Sequence, residues 1–286
     1  MRLKLIASDL DGTLLNIFHK TDSYILKTID KVLENELHFV ITTGRSMQSN
    51  QYQDLFKHRR LYRVLNNGAL IVDPDNQVIF EKDLSRDFII KTLERFGNHP
   101  IDFICRDKTL VNTSKKDYLN RYSQKGKPLN RFKLKFVSQY MGGNIYNQSH
   151  ETIMNSQIIK LNTLFNNERE AELFNEHVSQ FNEVIDNPFT DQMFEITDYS
   201  VNKARALKII TQHLQVPDHQ VAVFGDGGND IELLSEFKYS YAPSNAIDLA
   251  KSSASQVIGD YRTYAVPRKI RQILKTTKYD KIEVGG

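Results

Sequence analysis

A chain of 286 residues with 40% hydrophobic and 26% charged content has the balance of a globular protein and is long enough for one large or two ordinary domains around a sizeable core. A net charge of +3 is too small to imply a nucleic-acid partner. The single cysteine, Cys105, excludes an internal disulfide, and no apolar run approaches the roughly 18 residues that a membrane span needs.

Leu3, Leu5, Ile6 and Ala7 are too few for a signal-peptide core, so a cytoplasmic location is expected. The same run, residues 3–7, reads as a short strand buried on both faces. It leads into Asp9-Leu10-Asp11-Gly12-Thr13. Successive side chains along a strand alternate faces, so the carboxylates of Asp9 and Asp11 lean toward one small volume if the extended backbone persists. Gly12 then lets the chain turn sharply. Two acids this close require either a cation between them or one protonated member, although Asp-Gly after a strand is also ordinary turn chemistry. A helix follows, with Ile25, Ile29, Val32 and Leu33 on one face and Thr21 or Asp22 as its cap. Residues 39–41 form a second strand ending at Thr42-Thr43-Gly44-Arg45, and residues 47–56 a helix. Val64-Leu65 leads into Asn66-Asn67-Gly68. Residues 70–72 and 78–80 flank Pro74-Asp75-Asn76, a hairpin signal. Helices between apolar strands imply parallel pairing, and ligands then bind beyond the carboxyl ends of the strands. Asp11, Thr43 and Asn67 all fall on that edge.

Residues 83–197 change character. Strand-like runs at 101–105, 133–137, 158–164 and 193–196, with helices near 88–96 and 168–181, suggest a separate α+β unit. Between Arg106 and Lys135 ten Lys/Arg face two Asp, with Tyr118, Tyr122, Phe132 and Phe136 interleaved. Nucleic-acid binders can show that mixture, but no recognition motif accompanies it, and a solvated basic face is expected. After residue 198 the first pattern resumes. A helix over 201–214 ends at Val216-Pro217. A buried strand over 221–224 runs into Gly225-Asp226-Gly227-Gly228-Asn229-Asp230, and the alternation continues through 239–242, 245–250 and 257–258. The expected organisation is a discontinuous core, residues 1–82 and 198–286, interrupted by an inserted unit, residues 83–197.

Four signals therefore stand in order: Asp9-x-Asp11-Gly12-Thr13, Thr42-Thr43-Gly44-Arg45, Lys203 ahead of an apolar helix face, and the run from Gly225 to Asp230. Separately each has a plainer reading, as a turn, a surface lysine or a helix cap. Together they resemble the haloacid dehalogenase-like (HAD) superfamily, and more narrowly its Cof-type phosphatases. The resemblance implies an α/β fold: a Rossmann-like parallel-sheet core with an inserted α+β cap. It also implies a Mg2+-dependent phosphatase acting on small phosphorylated metabolites, with sugar phosphates the first guess.

The resemblance makes Asp9 the nucleophile that becomes an aspartyl-phosphate and Asp11 the general acid and base. Thr43, the Gly44 amide and Lys203 hold the phosphoryl group, Asn67 lies on the substrate side, and Asn229 touches phosphate. The metal ligands it implies are Asp9, the main-chain carbonyl of Asp11, and Asp226, with Asp230 behind them. Asn245 matches a family position near the site, with a helix cap as its plainer reading, and Glu195 is a place to look for substrate choice. His19, His38 and the other six histidines show no paired metal spacing and are given no role. Departures occur at Lys203-Ala204, where the family has Lys-Gly, at Ala242 to Asn245, where Met-Gly is common, and at Tyr264 to Pro267, where a Gly-Val pair is usual. A monomer or homodimer is expected, with neither a nucleic-acid nor a membrane partner. Rival readings are a phosphotransferase or phosphomutase on the same scaffold and, further off, a receiver-like regulatory module. Receivers run near 120 residues, by the family's habit, and carry no inserted cap.

Overall fold

The computed structural model describes residues 3–48, 55, 58–121, 143–187 and 192–283, with side chains followed to residue 276. Most of the helix expected over 47–56, the strand expected over 133–137, the basic stretch beyond Arg121, and Tyr122, Phe132 and Phe136 lie outside the described residues. The chain forms two compact units. One comprises Met1–Gly44, Gln51–Ile79 and Asn202–Gly286, the other Arg45–Asn50 and Phe80–Val201.

Among the described residues the strands run in chain order as β1 (Leu5–Ser8), β2 (His38–Thr42), β3 (Tyr62–Leu65), β4 (Leu70–Val72), β5 (Val78–Glu81), β6 (Ile101–Ile104) and β7 (Thr109–Val111). They continue as β8 (Asn144–Ile145), β9 (Lys160–Leu164), β10 (Val184–Asp186), β11 (Met193–Asp198), β12 (Val221–Phe224), β13 (Tyr239–Pro243) and β14 (Gln256–Ile258).

The first unit is built on a sheet of order β14-β13-β12-β1-β2-β3-β4-β5. β1 pairs in parallel with both β12 and β2. Parallel pairing continues outward to β13, β14 and β3, while β4 turns back antiparallel on β3. Every residue of β1 and β12 is buried, as continuous apolar strands covered on both faces should be. Helix Ser23–Glu34 separates β1 from β2 and buries Ile25, Ile29 and Val32, three of the four apolar positions its spacing singled out. Of its two candidate caps it uses Asp22, whose carboxylate accepts from the amides of Tyr24 and Ile25 at 2.9 and 3.1 Å. The later helix starts at Lys203, two residues inside the expected 201, because the Asn202 side chain accepts from the Arg205 amide at 2.8 Å and fixes the cap there. In the segment expected to continue the alternation over 245–250, a helix starts at Asp248. The parallel strand order reverses at β1, which makes the carboxyl end of β1 a topological switch point, where open α/β sheets bind ligands. Asp9 is the next residue.

The second unit is an α+β arrangement with sheet order β10-β11-β9-β6-β7-β8. Pairing is antiparallel except between β7 and β8. Its core combines Phe88, Phe103, Phe165, Phe174 and Phe194 with Leu93, Leu161 and Ile196. The rings of Phe174 and Phe194 meet edge to face at 4.8 Å between centroids, the preferred aromatic geometry. Lys160 is buried and donates to Glu195 at 2.6 Å. Arg121 and Tyr118 depart from the solvated basic face expected of this stretch. Both are buried, Arg121 donates to Asp102 at 2.7 Å, and its guanidinium lies 3.8 Å from the Tyr118 ring centroid. A planar guanidinium supports such stacked, buried pairing better than lysine does. No helix among the described residues is long and apolar enough to cross a membrane.

Candidate active site

The site is assembled where β1 and β12 end. The Asp9 amide donates to the Phe224 carbonyl at 2.9 Å, so the last rung of the sheet ladder fixes the backbone of the first acid. The chain turns at once through residues 10–14. Gly12 sits at φ +75°, and a Cβ there would stand 2.2 Å from Asp226 Oδ2. Both the left-handed backbone and the closeness of the second acidic loop require glycine. Thr13 Oγ1 donates to Asp226 Oδ1, tying the two loops together. Asn245 donates from Nδ2 to the Gly12 carbonyl at 2.9 Å and accepts from the Tyr261 amide at 3.1 Å, so it braces the turn rather than capping a helix.

Lys203 is the first residue of its helix and is buried to 1% exposure. Its Nζ donates to Asp9 Oδ1 and to Asp230 Oδ1, both at 2.7 Å. The other oxygen of Asp230 accepts from the amides of Asp226 and Gly227, each at 3.0 Å. Asp230 thus uses one oxygen to hold the lysine and the other to shape the loop that carries Asp226. Among the described residues Asp9, Asp226 and Asp230 form a group whose ligand atoms lie within 4.8 Å of one another.

Burial raises the pKa of Asp9 well above the usual carboxylate range. Lys203 opposes that shift, and the charges of Asp230, Asp226 and Asp11 reinforce it. Burial and the Asp230 charge push Asp226 up to about 7. Burial disfavours the charge of Lys203, but Asp230 and Asp9 more than offset it, and its pKa is raised. One ammonium therefore serves a crowd of carboxylates whose combined negative charge is only partly neutralised. A divalent cation among them would relieve the remainder. Hard carboxylate oxygens converging on one volume are the donor set that suits Mg2+.

Of the residues singled out in the sequence, Asp9, Lys203, Asp226 and Asp230 are brought into this one group. Asp11 lies beside it, close enough for its charge to act on Asp9 and Asp226. Thr43 and Gly44 follow β2 and Asn67 follows β3, at the same carboxyl edge of the sheet. The Asn67 amide donates to the Thr43 carbonyl at 3.1 Å. Asn229 donates to Asn67 Oδ1 at 2.9 Å, so the half-buried Asn229 and the buried Asn67 form a pair. Asn66 and Asn67 have φ of 50° and 56°, a left-handed turn in which asparagine is tolerated. Two participants went unread in the sequence. Thr13 had no role beyond its place in the motif. His19 had none at all, yet its Nδ1 lies in hydrogen-bond contact with Asp11 Oδ1 at 2.8 Å. No spacing rule announces a contact across eight residues of irregular turn.

With the geometry in view, the relatives are informative. Residues 6–270 match the haloacid dehalogenase-like hydrolase family. The chain is 23% identical to the 5-amino-6-(5-phospho-D-ribitylamino)uracil phosphatase YbjI of Escherichia coli over 96% of this chain and 97% of that one. Its fold is shared with a haloacid dehalogenase-like hydrolase from B. subtilis at a TM-score of 0.79, with 20% identity, covering 94% of this chain and 99% of that one. It is shared also with the subclass IIB sugar phosphatase BT4131 at a TM-score of 0.75, with 19% identity, covering 94% and 98%. The chain therefore belongs to the haloacid dehalogenase-like hydrolase family. Within that family it is a phosphatase, a phosphoric monoester hydrolase.

Proposed function

We propose that this phosphatase hydrolyses small phosphate monoesters, sugar phosphates or related metabolites, by passing the phosphoryl group through Asp9 with Mg2+ as cofactor. The observation that carries the reading is the Lys203 ammonium held between Asp9 and Asp230 at 2.7 Å from each, with Asp226 in the same cluster. The lysine takes one oxygen of Asp9 and fixes its carboxylate plane, which leaves the second oxygen to attack phosphorus in line. The Thr43 hydroxyl, the Gly44 amide and Lys203 donate to the phosphoryl oxygens, where preorganised donors lower the barrier most. Asp11 gives its proton to the departing alcohol as the bond from Asp9 to phosphorus forms. The resulting Asp11 carboxylate then takes a proton from the water that displaces Asp9. Asn67 is assigned to the substrate side and Asn229 to a contact with phosphate.

Asp9, the main-chain carbonyl of Asp11, and Asp226 would hold Mg2+, with Asp230 supporting them through the loop amides and Lys203. Bound there, the ion supplies neutralisation of the dianionic phosphate and of the converging acids. The inserted unit, residues 83–197, is assigned the choice of leaving group, with Glu195 a candidate contributor. The names of the ribitylamino-uracil phosphatase of Escherichia coli and of the sugar phosphatase BT4131 support a phosphorylated polyol or sugar as substrate. The test is phosphate release from a panel of phosphate monoesters with and without Mg2+, using Asp9→Asn as the blank. The reading expects metal-dependent release that vanishes in the blank. Equal release from both proteins overturns it. Phosphate that appears only when a sugar acceptor is supplied, bonded to that acceptor, points to a phosphotransferase instead.

A further inference from the structure

The turn after residue 14 is built with unusual care for a surface segment. Asn16 Oδ1 accepts from the amides of Phe18 and Lys20 at 3.0 and 3.2 Å. The Asn16 amide donates to the Lys20 carbonyl at 3.0 Å, and the His19 amide donates to the Asn16 carbonyl at 2.8 Å. Asn16 Nδ2 reaches Asp22 Oδ2 at 3.3 Å, and the same Asp22 oxygen accepts from the Tyr264 hydroxyl at 2.7 Å. The turn is thereby fastened to the N-terminus of helix Ser23–Glu34 and to the segment ahead of the last helix. At its tip Ile17 and Phe18 are exposed, while His19, at φ 53°, is held in the left-handed region that L-residues enter at a cost of about 1–2 kcal/mol. What that backbone achieves is to turn the imidazole inward, where Nδ1 meets Asp11 Oδ1 at 2.8 Å.

We propose that His19 is a positioning residue for Asp11. The proposal rests on the reading of Asp11 as the acid and base of the reaction. The terminal torsion of an aspartate is broad and two-fold, so a carboxyl that loses one of its contacts samples more orientations that miss the leaving oxygen, and misplacement by about an ångström can cost on the order of 10²-fold. In the tautomer that carries its hydrogen on Nδ1 the imidazole donates to Oδ1, and the proton that Asp11 transfers is then carried on Oδ2. As the phosphorus bond to Asp9 forms and the bond to the leaving oxygen breaks, the proton on Oδ2 passes to that oxygen and the alcohol departs whole. In the second half Oδ2 takes one proton of the incoming water, whose oxygen bonds to phosphorus as the bond from Asp9 breaks.

A histidine that merely packs a surface turn would affect all substrates alike, whereas one that aims the general acid matters only where the leaving group needs a proton. The test compares kcat/KM, which reports the step that expels the leaving group, on a hexose phosphate and on para-nitrophenyl phosphate with Mg2+ present. For His19→Ala the proposal expects a fall of about 10–100-fold on the hexose phosphate and less than about threefold on the aryl ester, whose phenolate departs without a proton. His19→Asn presents Nδ2 where the imidazole presents Nδ1 and tolerates the left-handed backbone. It should restore the hexose phosphate to within about threefold of wild type. Asn16→Ala, which loosens the turn with His19 in place, should show the same selectivity to a smaller degree. That variant keeps the test decisive if His19→Ala folds poorly. Equal losses on both esters, or no loss on either, overturn the role of His19 while leaving Asp11 as acid and base. A wild-type protein that hydrolyses neither ester overturns the reading of Asp11 and this one with it.

Discussion

Lys203→Met removes one charge and little volume, so its consequences follow from the site's electrostatics. The ammonium stands 2.7 Å from each of two carboxylate oxygens, with 1% of the side chain exposed. At an effective dielectric of about 20, each contact contributes about 6 kcal/mol before desolvation, and stripping water from each ion takes back several kcal/mol. The net value of the pairs is therefore modest, but removing the cation alone leaves Asp9 and Asp230 facing one another unpaired. Breaking a buried pair in this way costs about 3–5 kcal/mol. At about 2–4 °C per kcal/mol for a domain of this size, the melting transition of the metal-free core should fall by about 6–20 °C. Turnover should fall on the order of 10²–10³-fold even in excess Mg2+, because a transition-state donor is gone. The two losses are separable. Adding Asp230→Asn removes the second unpaired charge and should return part of the melting temperature while turnover stays low. Thermal melts with steady-state kinetics on the three proteins make the comparison. A Lys203→Met protein with wild-type melting and kcat within about threefold of wild type would refute the reasoning.

Gly12→Ala should cost more than about 10²-fold in activity and weaken Mg2+ binding, since the new Cβ meets Asp226 Oδ2 at 2.2 Å on a left-handed backbone; Gly228→Ala, which meets nothing within 4 Å, should leave both in place. Calorimetric Mg2+ titration and kinetics of the two variants check the contrast. The Asp226 carboxyl, raised to about 7 without metal, keeps its proton in the folded protein below that pH, and metal binding must then displace it. Mg2+ should bind about tenfold more weakly at pH 6 than at pH 8, and the rise in melting temperature on adding Mg2+ should be larger at pH 8. Equal affinities at the two pH values would contradict the assignment of Asp226 to the metal.

The parallel sheet was legible because each central strand is a short apolar run followed by turn chemistry. Residues 3–7 and 221–224 needed only the rule that strands covered on both faces are continuously apolar. The cluster of acids was legible in part, as Asp9-x-Asp11 and the run from Gly225 to Asp230 each place carboxylates just past such strands. What joins them was hidden. The pairing of Lys203 with Asp9 spans 194 residues, and no local pattern distinguishes that lysine from one on a helix surface; the family resemblance supplied it. Asn245 could be read either as a cap or, by the resemblance, as a residue near the site, and its bonds to Gly12 and Tyr261 across the fold favour the second. His19 was invisible because its contact depends on one positive φ, which histidine gives no advance sign of adopting. The buried Arg121 is an exception to the solvated basic face, set by its ion pair with Asp102, whereas Arg106, Lys115 and Lys116 are exposed as expected.

The account turns on a phosphoryl group carried by Asp9. The most direct measurement is a rapid acid quench of the wild-type protein during turnover of a good substrate with Mg2+, followed by peptide mass mapping. The prediction is a phosphorylated peptide with the modification on Asp9, appearing before steady state and absent from Asp9→Asn. Phosphate found on a different residue, or a pre-steady-state burst of alcohol with Asp9 unmodified, would contradict it.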